Sequence, residues 1–204
     1  MQYLSLTRQT PPAVEPVSVA EAKAHLRVDT ADDDTYIGTL ITAAREWCEQ
    51  YLDRTLVNTQ WAMRLERFPT DSTYPIELPR PPVVASGTAT AVSLTYTSET
   101  GNTATFATSS YRVQRLETPG RITTVYGGTW PAGLEDNDAV IVQWWGGYGT
   151  TGASVPAAIR HAMLMLIAHW YENRSATLGT GAVPQEVPLG VNALLDSQRW
   201  GSYR

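Results

Sequence analysis

Cysteine is nearly absent from the 204-residue sequence, which contains only Cys48. A single thiol excludes an internal disulfide and a zinc site built from cysteines. Cys48 lies on the apolar side of a predicted helix, where a free cysteine behaves as a small hydrophobic residue. We therefore expect Cys48 to be buried and structural.

Positive charge is also scarce. The chain has 15 basic and 20 acidic residues, a net charge of −5, and a single lysine. The basic and acidic residues number 5 and 9 in residues 1–57, 6 and 8 in 58–153, and 4 and 3 in 154–204. No segment has the clustered cations that attract a nucleic-acid backbone. DNA that passes near this protein is expected to slide past without specific binding.

Long apolar runs are missing as well. No run of 18 apolar residues occurs, so we expect no transmembrane helix and no membrane partner. The first ten residues, MQYLSLTRQT, lack the apolar core of a signal peptide. The protein is expected to stay in a cytosol-like compartment until it joins a larger assembly.

Catalytic and metal-binding motifs are absent. The sequence has no HExxH, CxxC or G-x-S-x-G pattern and no phosphate-binding loop ending in Gly-Lys-Ser/Thr. His161 and His169 lie about 12 Å apart along one predicted helix, too far to share a metal. The run Asp32–Asp34 lacks the glycine and glutamate of a calcium loop, and an acidic helix start is the simpler interpretation. We predict no enzyme activity, no cofactor and no metal site.

Three helices are predicted, near residues 18–27, 33–52 and 156–174. Ser18 and Glu21 have the spacing of a capping box at the start of the first helix. The other two helices each present one apolar stripe, and Gly179 and Gly181 are expected to stop the last one. The stripes comprise Ile37, Leu40, Ile41, Ala44, Cys48 and Tyr51 in one helix, and Ile159, Met163, Leu166, Ile167 and Trp170 in the other.

Between these helices the apolar residues alternate with a period of two, which is typical of β-strands. Alternation is clear around Trp61 and around Leu94, and Glu99–Asn102 has the composition of a hairpin turn. Further strands are predicted at 76–78, 111–115 and 121–125. Residues 57–147 are therefore expected to form a small antiparallel β unit.

The predicted fold class is α+β: a small helical core carrying an inserted antiparallel β unit and a C-terminal arm. Neither helical segment is large enough to hold a core alone, so we expect a discontinuous helical core from 1–56 and 148–177. The β unit takes 57–147, and residues 1–16 within the first segment are expected to be extended. Residues 178–204 form the predicted arm.

Tryptophan and tyrosine are common, at seven and ten residues, whereas phenylalanine occurs twice. Aromatic residues with a polar atom are enriched at protein interfaces. We interpret Trp61 and Trp144 as core residues. Trp170, Tyr171 and Tyr203, near the end of the chain, are predicted to form a subunit or partner interface.

Four blocks, in order, carry a resemblance to a known family. They are a Pro-rich lead into PVSVAEAKAHLRVD, then DDDTYIGTLITAAREWCEQYLDRTL, VQWWGGYG and VPAAIRHAMLMLIAHWYENR. In this order and spacing they resemble the head–tail connector proteins (head-completion adaptors) of long-tailed bacteriophages and gene transfer agents.

This resemblance implies a structural virion protein rather than an enzyme. Its expected form is a ring of twelve copies at the neck of the particle, assembled in the bacterial host cytoplasm. The ring would bind the portal protein of the capsid, extend the DNA channel, and dock a tail-side stopper or tail-terminator protein.

The resemblance also implies that a C-terminal segment reaches the portal. The last residues carry an apolar stripe and two arginines suited to such docking, namely Val191, Leu194, Leu195, Arg199, Trp200 and Arg204. A short helix folded back onto the chain's own core is the alternative for this stripe. For the whole protein, the alternative function is a monomeric β-rich module that binds carbohydrate or a cell surface.

Overall fold

The computed structural model describes residues 3–72, 74–84, 92–134, 138–174 and 189–199. Helices and antiparallel strands are both present, which confirms the α+β class. The described helices are α1 (Val19–Leu26), α2 (Asp34–Leu52), α3 (Ala157–Glu172) and α4 (Leu189–Asp196). The described strands are β1 (Ser5–Thr10), β2 (Thr59–Leu65), β3 (Ile76–Leu78), β4 (Val92–Thr97), β5 (Thr103–Thr105), β6 (Tyr111–Gln114), β7 (Gly120–Thr124) and β8 (Val140–Gly146).

The chain divides into two compact units. One, here called the β unit, comprises Met1–Ala13 and Asn58–Tyr148; the other, the helical unit, comprises Val14–Val57 and Gly149–Arg204. The amino terminus therefore differs from the predicted boundaries, because β1 is a strand of the β unit and not part of a helical core. β1 is extended, as its composition indicates, but it pairs antiparallel with β2.

The β unit contains two sheets that share one core. The larger has the order β1-β2-β8-β4-β5 and the smaller β3-β7-β6. Alternate residues of β2, β4 and β8 point into the core and meet Ile76, Leu78 and Ile122 of the smaller sheet. The hydroxyl of Tyr111 donates to the carbonyl of Val92 at 2.8 Å, which links the sheets by a buried hydrogen bond.

The opposite face of the five-stranded sheet points away from this core, because successive strand residues alternate between faces. We call it the open face. The strand pairings place on it Ser5, Thr7, Thr10, Gln60, Ala62, Arg64, Ser93, Thr95, Thr97, Thr103, Thr105, Ile141, Gln143 and Trp145.

Two turns account for the connections at the ends of β4 and β8. The predicted hairpin joins β4 to β5, with Tyr96 opposite Ala104 and Gly101 at a φ of +79°. Gly147 follows β8 at a φ of +133°, a backbone conformation that side-chain-bearing residues rarely adopt. The glycines after β8 therefore turn the chain from the strand toward α3.

The helical unit has its core between the predicted stripes of α2 and α3. The stripe residues Ile37, Leu40, Ile41, Ala44, Cys48, Ile159, Met163, Leu166 and Ile167 are all buried. Tyr51 and Trp170, which continue the two stripes, are only half-buried. No described helix is both long and apolar enough to cross a membrane.

Of three helix ends predicted from the sequence, one has the expected capping interaction and two do not. Ser18 and Glu21 form the full capping box of α1. Asp33 is the N-cap of α2, but its side chain makes no capping hydrogen bond. α3 ends at Glu172 with Asn173 as its cap, before the glycines that were expected to stop it; Gly179 and Gly181 lie outside the described residues.

Candidate functional site

Part of the predicted docking stripe is buried in the chain's own core. α4 packs against α3 and α2, and both Val191 and Leu195 have no exposed surface. In this structure the two side chains pack as in the alternative interpretation, a short helix folded back onto the chain's own core. Residues at positions i and i+4 share a helix face, and that face is covered by the helical unit itself. Leu194, on another face, is half-buried.

A second contact ties α4 to α2, and we call it the Tyr51 cluster: Trp47, Tyr51, Asp196 and Arg199. The rings of Trp47 and Tyr51 stack with centroids 5.2 Å apart. The Tyr51 hydroxyl donates to Asp196 Oδ1 at 2.8 Å, which raises the pKa of Tyr51. The Arg199 guanidinium lies 5.4 Å from the Tyr51 ring centroid, and Arg199 remains exposed. Of the predicted docking cations, Arg199 is thus described and accessible.

The Tyr171 cluster joins the start of α2 to the end of α3 and consists of Asp33, Tyr36, Tyr171 and Arg174. The Tyr171 hydroxyl donates to Asp33 Oδ2 at 2.5 Å, and Arg174 Nη2 donates to the same oxygen at 2.8 Å. The Arg174 guanidinium lies 4.7 Å and 4.6 Å from the ring centroids of Tyr36 and Tyr171. These contacts explain why Asp33 does not cap α2.

The hydrogen bonds of the Tyr171 cluster shift the pKa values of Asp33 and Tyr171. The hydrogen bond from Tyr171, followed by that from Arg174, lowers the pKa of Asp33. The same bond raises the pKa of Tyr171, because the hydroxyl proton is held by a carboxylate. Tyr171, a predicted interface residue, therefore has its hydroxyl engaged within the chain, although its side chain is only half-buried.

The remaining predicted interface and docking residues divide into two groups. Trp170 is described and half-buried on α3. Trp200, Tyr203 and Arg204 lie outside the described residues. The described members that keep exposed surface are thus Trp170, Tyr171, Leu194 and Arg199, all on the helical unit.

α2 also carries a buried ionic network that was not predicted from the sequence. Arg45 is 3% exposed and Glu49 is also 3% exposed. Arg45 pairs with Glu15 at 2.8 Å and with Glu49 at 3.1 Å, and Glu49 Oε1 accepts the backbone N–H of Leu56 at 2.9 Å. The i, i+4 spacing of Arg45 and Glu49 was a visible signal, but it is also common on solvated helix faces.

Chemistry that would indicate catalysis or metal binding does not assemble in the described part of the chain. No group of three or more histidine, cysteine or acidic side chains there could hold a metal ion. His25 and His161 meet edge to face with ring centroids 6.2 Å apart, a pairing that the sequence did not reveal. Cys48 is fully buried, and burial raises its pKa to about 12, which keeps the thiol protonated and unreactive.

The aromatics of the β unit mostly fill its core. Trp144 and Trp61 are 1% and 7% exposed, as predicted. A cavity of about 440 Å³ lies beside Phe68 and Trp130, whose rings stack 5.2 Å apart. Both rings are buried, so they offer no open platform on which a sugar ring could stack. The carbohydrate-binding alternative therefore gains no support from this cavity; the exposed aromatic residues Tyr74 and Tyr126 lie outside the core.

Comparison with known families gives a match to the first half of the chain. Residues 16–106 match the family described as "Phage gp6-like head-tail connector protein". This match covers α1, α2 and strands β2 to β5, and it confirms the resemblance that the sequence indicated. Among curated proteins, no sequence matches the chain.

Solved structures with the same fold come from gene transfer agent (GTA) particles. A chain in the virion of a native GTA particle has a TM-score of 0.75 and 22% sequence identity. A chain in the neck of an empty GTA particle computed with C6 symmetry has a TM-score of 0.74 and 23% identity. A third, in the neck of a native GTA particle computed with C12 symmetry, has a TM-score of 0.68 and 22% identity. In each case the match covers 96% of this chain and 95% of the other.

Proposed function

We propose that this protein is a structural adaptor of the virion neck, which joins the portal of a capsid to the tail. The observation that carries the proposal is a fold shared over 96% of the chain with proteins of GTA particles, two of them described as neck structures. The family match over residues 16–106 supports the same role.

The adaptor acts as a ring of identical copies, most simply twelve. The C6 and C12 symmetries of the two neck structures support a ring, since a closed cyclic assembly repeats one interface around an axis. Trp170, Tyr171 and Tyr203 are proposed to contact a neighbouring subunit or partner.

The portal contact is proposed to use the accessible end of the helical unit rather than the buried stripe. Leu194 and Arg199 supply its described part, and Trp200 and Arg204 follow them in sequence. Arginines facing an acidic portal rim would bind less tightly at high salt, because exposed ion pairs are screened. The opposite side of the ring docks a tail-side stopper or tail-terminator protein, and DNA passes through the middle.

Deletion of the gene in the particle-producing bacterium tests the adaptor role. The expected product is DNA-filled heads without tails, counted by electron microscopy, because portal and tail lack their connecting ring. Complementation with the intact gene should restore tailed particles. If the deletion leaves tailed, DNA-containing particles at the normal frequency, the protein is not the neck adaptor.

A second experiment tests the docking segment. Trp200→Ala should weaken co-purification with the portal protein, whereas Ser202→Ala in the same segment serves as the matched control. A buried tryptophan is a frequent anchor of an interface, and its loss typically costs at least 2 kcal/mol of binding, about thirtyfold in affinity. Equal portal recovery with both variants would remove Trp200 from the contact.

A further inference from the structure

We propose that the open face of the five-stranded sheet forms the wall past which duplex DNA slides. The proposal rests on the adaptor function and identifies the surface that this function would turn toward the channel. The open face is built mainly from threonine, serine and glutamine, and it contains neither aspartate nor glutamate. Its only charged residue is Arg64, which is exposed.

The acidic residues of the β unit that the structure describes lie outside the open face. They occur in turns, between strands or on the smaller sheet: Glu66, Asp71, Glu77, Glu99, Glu117 and Asp138. Glu77 pairs with Arg121 on the smaller sheet, and Glu99 lies in the β4–β5 turn. Among the residues that the structure describes, the open face is therefore free of carboxylates, although the protein has a net charge of −5.

This charge pattern fits a passing polyanion. Duplex DNA carries about one negative charge per 1.7 Å of axis, so a carboxylate beside it would be repelled and would slow its passage. Clustered cations would also slow the DNA, because each phosphate that they neutralise strengthens binding. One arginine per subunit balances these effects, since it offsets repulsion without forming a continuous basic track.

The polar side chains are also partly engaged with one another. Ser93 Oγ donates to Gln143 Oε1 at 3.5 Å, and Thr7 Oγ1 donates to the carbonyl of Ala62 at 3.3 Å. Hydroxyl and amide groups that already have partners gain little from a phosphate oxygen that moves past. The face is thus wettable but offers few strong bonds to hold DNA in one position.

The same composition argues against a neighbouring protein as the occupant. The cores of protein interfaces are enriched in aromatic and large apolar residues. The open face offers only Trp145 and Ile141 of that kind, and both are half-buried in β8. DNA is therefore the occupant we propose.

Photo-crosslinking in assembled particles tests the placement directly. A photoreactive amino acid replaces Thr105, on the open face, or Thr108, an exposed residue of the short helix between β5 and β6. After irradiation and nuclease digestion, mass spectrometry should find nucleotide adducts at position 105 and none at 108. Crosslinks from position 105 only to protein, or equal DNA adducts at both positions, would overturn the proposal.

Charge reversal gives an independent measurement. Arg64→Glu places a carboxylate on the open face, and Arg112→Glu makes the same change on an exposed residue of β6 in the smaller sheet. Both variants should give normal numbers of tailed particles, but DNA transfer per particle should fall about tenfold for Arg64→Glu alone. Equal DNA transfer by the two variants would contradict the proposal.

Protein stability and assembly are checked in the same samples. If Arg64→Glu lowers the number of tailed particles, a second pair of variants repeats the comparison. Thr105→Glu changes a residue of the edge strand β5, and Thr108→Glu makes the same change in the short helix that follows it. Failure of the adaptor function itself appears differently, because deletion of the gene would then leave tailed particles intact. If tail attachment depends on the gene but position 105 crosslinks to protein and not to DNA, the adaptor function stands and only this inference is wrong.

Discussion

At the scale of single residues, the strongest constraint on the helical unit is the buried charge of Arg45. Its guanidinium reaches Glu15 at 2.8 Å and Glu49 at 3.1 Å while it is 3% exposed. Two charges inside a protein are tolerated only when each remains paired, since desolvation costs several kcal/mol per ion. The network therefore fixes the segment before α1 against α2.

Arg45→Met should destabilise the protein strongly because it leaves Glu49 buried without its cation. We expect a loss of about 3–5 kcal/mol in the free energy of unfolding, measured by urea denaturation at neutral pH. The matched control is Lys23→Met, which removes the 2.7 Å pair with Asp34 on a partly exposed surface and should cost about 0–1 kcal/mol. Equal losses for the two variants would show that burial of Arg45 does not matter.

Acid should destabilise the helical unit through the carboxyl groups of Glu21 and Asp33. The hydrogen bonds from Ser18 lower the pKa of Glu21, and those from Tyr171 and Arg174 lower the pKa of Asp33. A carboxylate whose pKa is lower in the folded state stabilises the fold above its ordinary value of about 4. That contribution is lost as the pH falls through the lowered pKa.

Urea unfolding at a series of pH values measures this effect. Glu21→Gln and Asp33→Asn should lose less stability than the unmodified protein as the pH falls below about 4, because the titrating carboxylate is gone. Asp29→Asn, at an exposed position outside both contacts, is the control. A parallel acid dependence for all four proteins would exclude Glu21 and Asp33 as the source.

At the scale of elements, α4 behaves as a fourth core helix of its unit. Its apolar stripe was visible in the sequence, but a stripe cannot show whether its cover comes from the same chain or from a partner. The packing of Val191 and Leu195 supplies that answer, and the Tyr51 cluster adds polar contacts between α4 and α2. The predicted arm is thus anchored over Leu189–Asp196.

Leu195→Ala tests this anchoring. Removal of a fully buried leucine should lower the free energy of unfolding by about 2–5 kcal/mol, measured on the isolated protein by thermal or urea denaturation. Leu194→Ala, the same change at the half-buried neighbour, should cost less. If Leu195→Ala leaves the isolated protein as stable as before, α4 does not pack against the helical unit. Its apolar stripe would then be free to contact the portal.

Local patterns predicted most elements because their signals are local. The capping box of Ser18 and Glu21, the period-two run through Trp61 and the turn at Gly101 each depend on a few adjacent residues. The pairing of β1 with β2 was not predictable in this way, since the paired residues are 50 to 59 positions apart and β1 has an ordinary extended composition. The contact of Arg45 with Glu15 and the Tyr171 cluster were missed for the same reason, because these partners are distant in sequence and meet only in the folded chain.

At the scale of the whole molecule, two cores are built from segments that alternate along one chain. Met1–Ala13 and Asn58–Tyr148 form the β unit, while Val14–Val57 and Gly149–Arg204 form the helical unit. Thr59 and Gly146 are direct partners in the β2–β8 pairing, so the two ends of the longer β segment are adjacent. A short linker can therefore replace that segment without stretching the chain.

A chain made of residues 14–57, a short Gly/Ser linker and residues 149–204 should remain helical. The buried stripes of α2 and α3 and the buried face of α4 are all retained, so the core of the helical unit is complete. Circular dichroism with thermal melting provides the measurement, and the same chain carrying Leu166→Asp is the control that should not fold. A random-coil spectrum for the first chain would mean that the helical unit depends on the β unit.

The pairing of β1 with β2 also has a consequence for the order of events during synthesis. The first strand to leave the ribosome waits for residues 59–65, and that pair is joined by β8 only after residue 146 has been made. α2 likewise lacks its main partner until α3, at residues 157–172, has emerged. Neither unit can complete its core before most of the chain has been made, because each core includes a late segment, β8 in one unit and α3 in the other. Folding is therefore expected to be largely post-translational, and the nascent chain should depend on protection of its exposed strand edges until then.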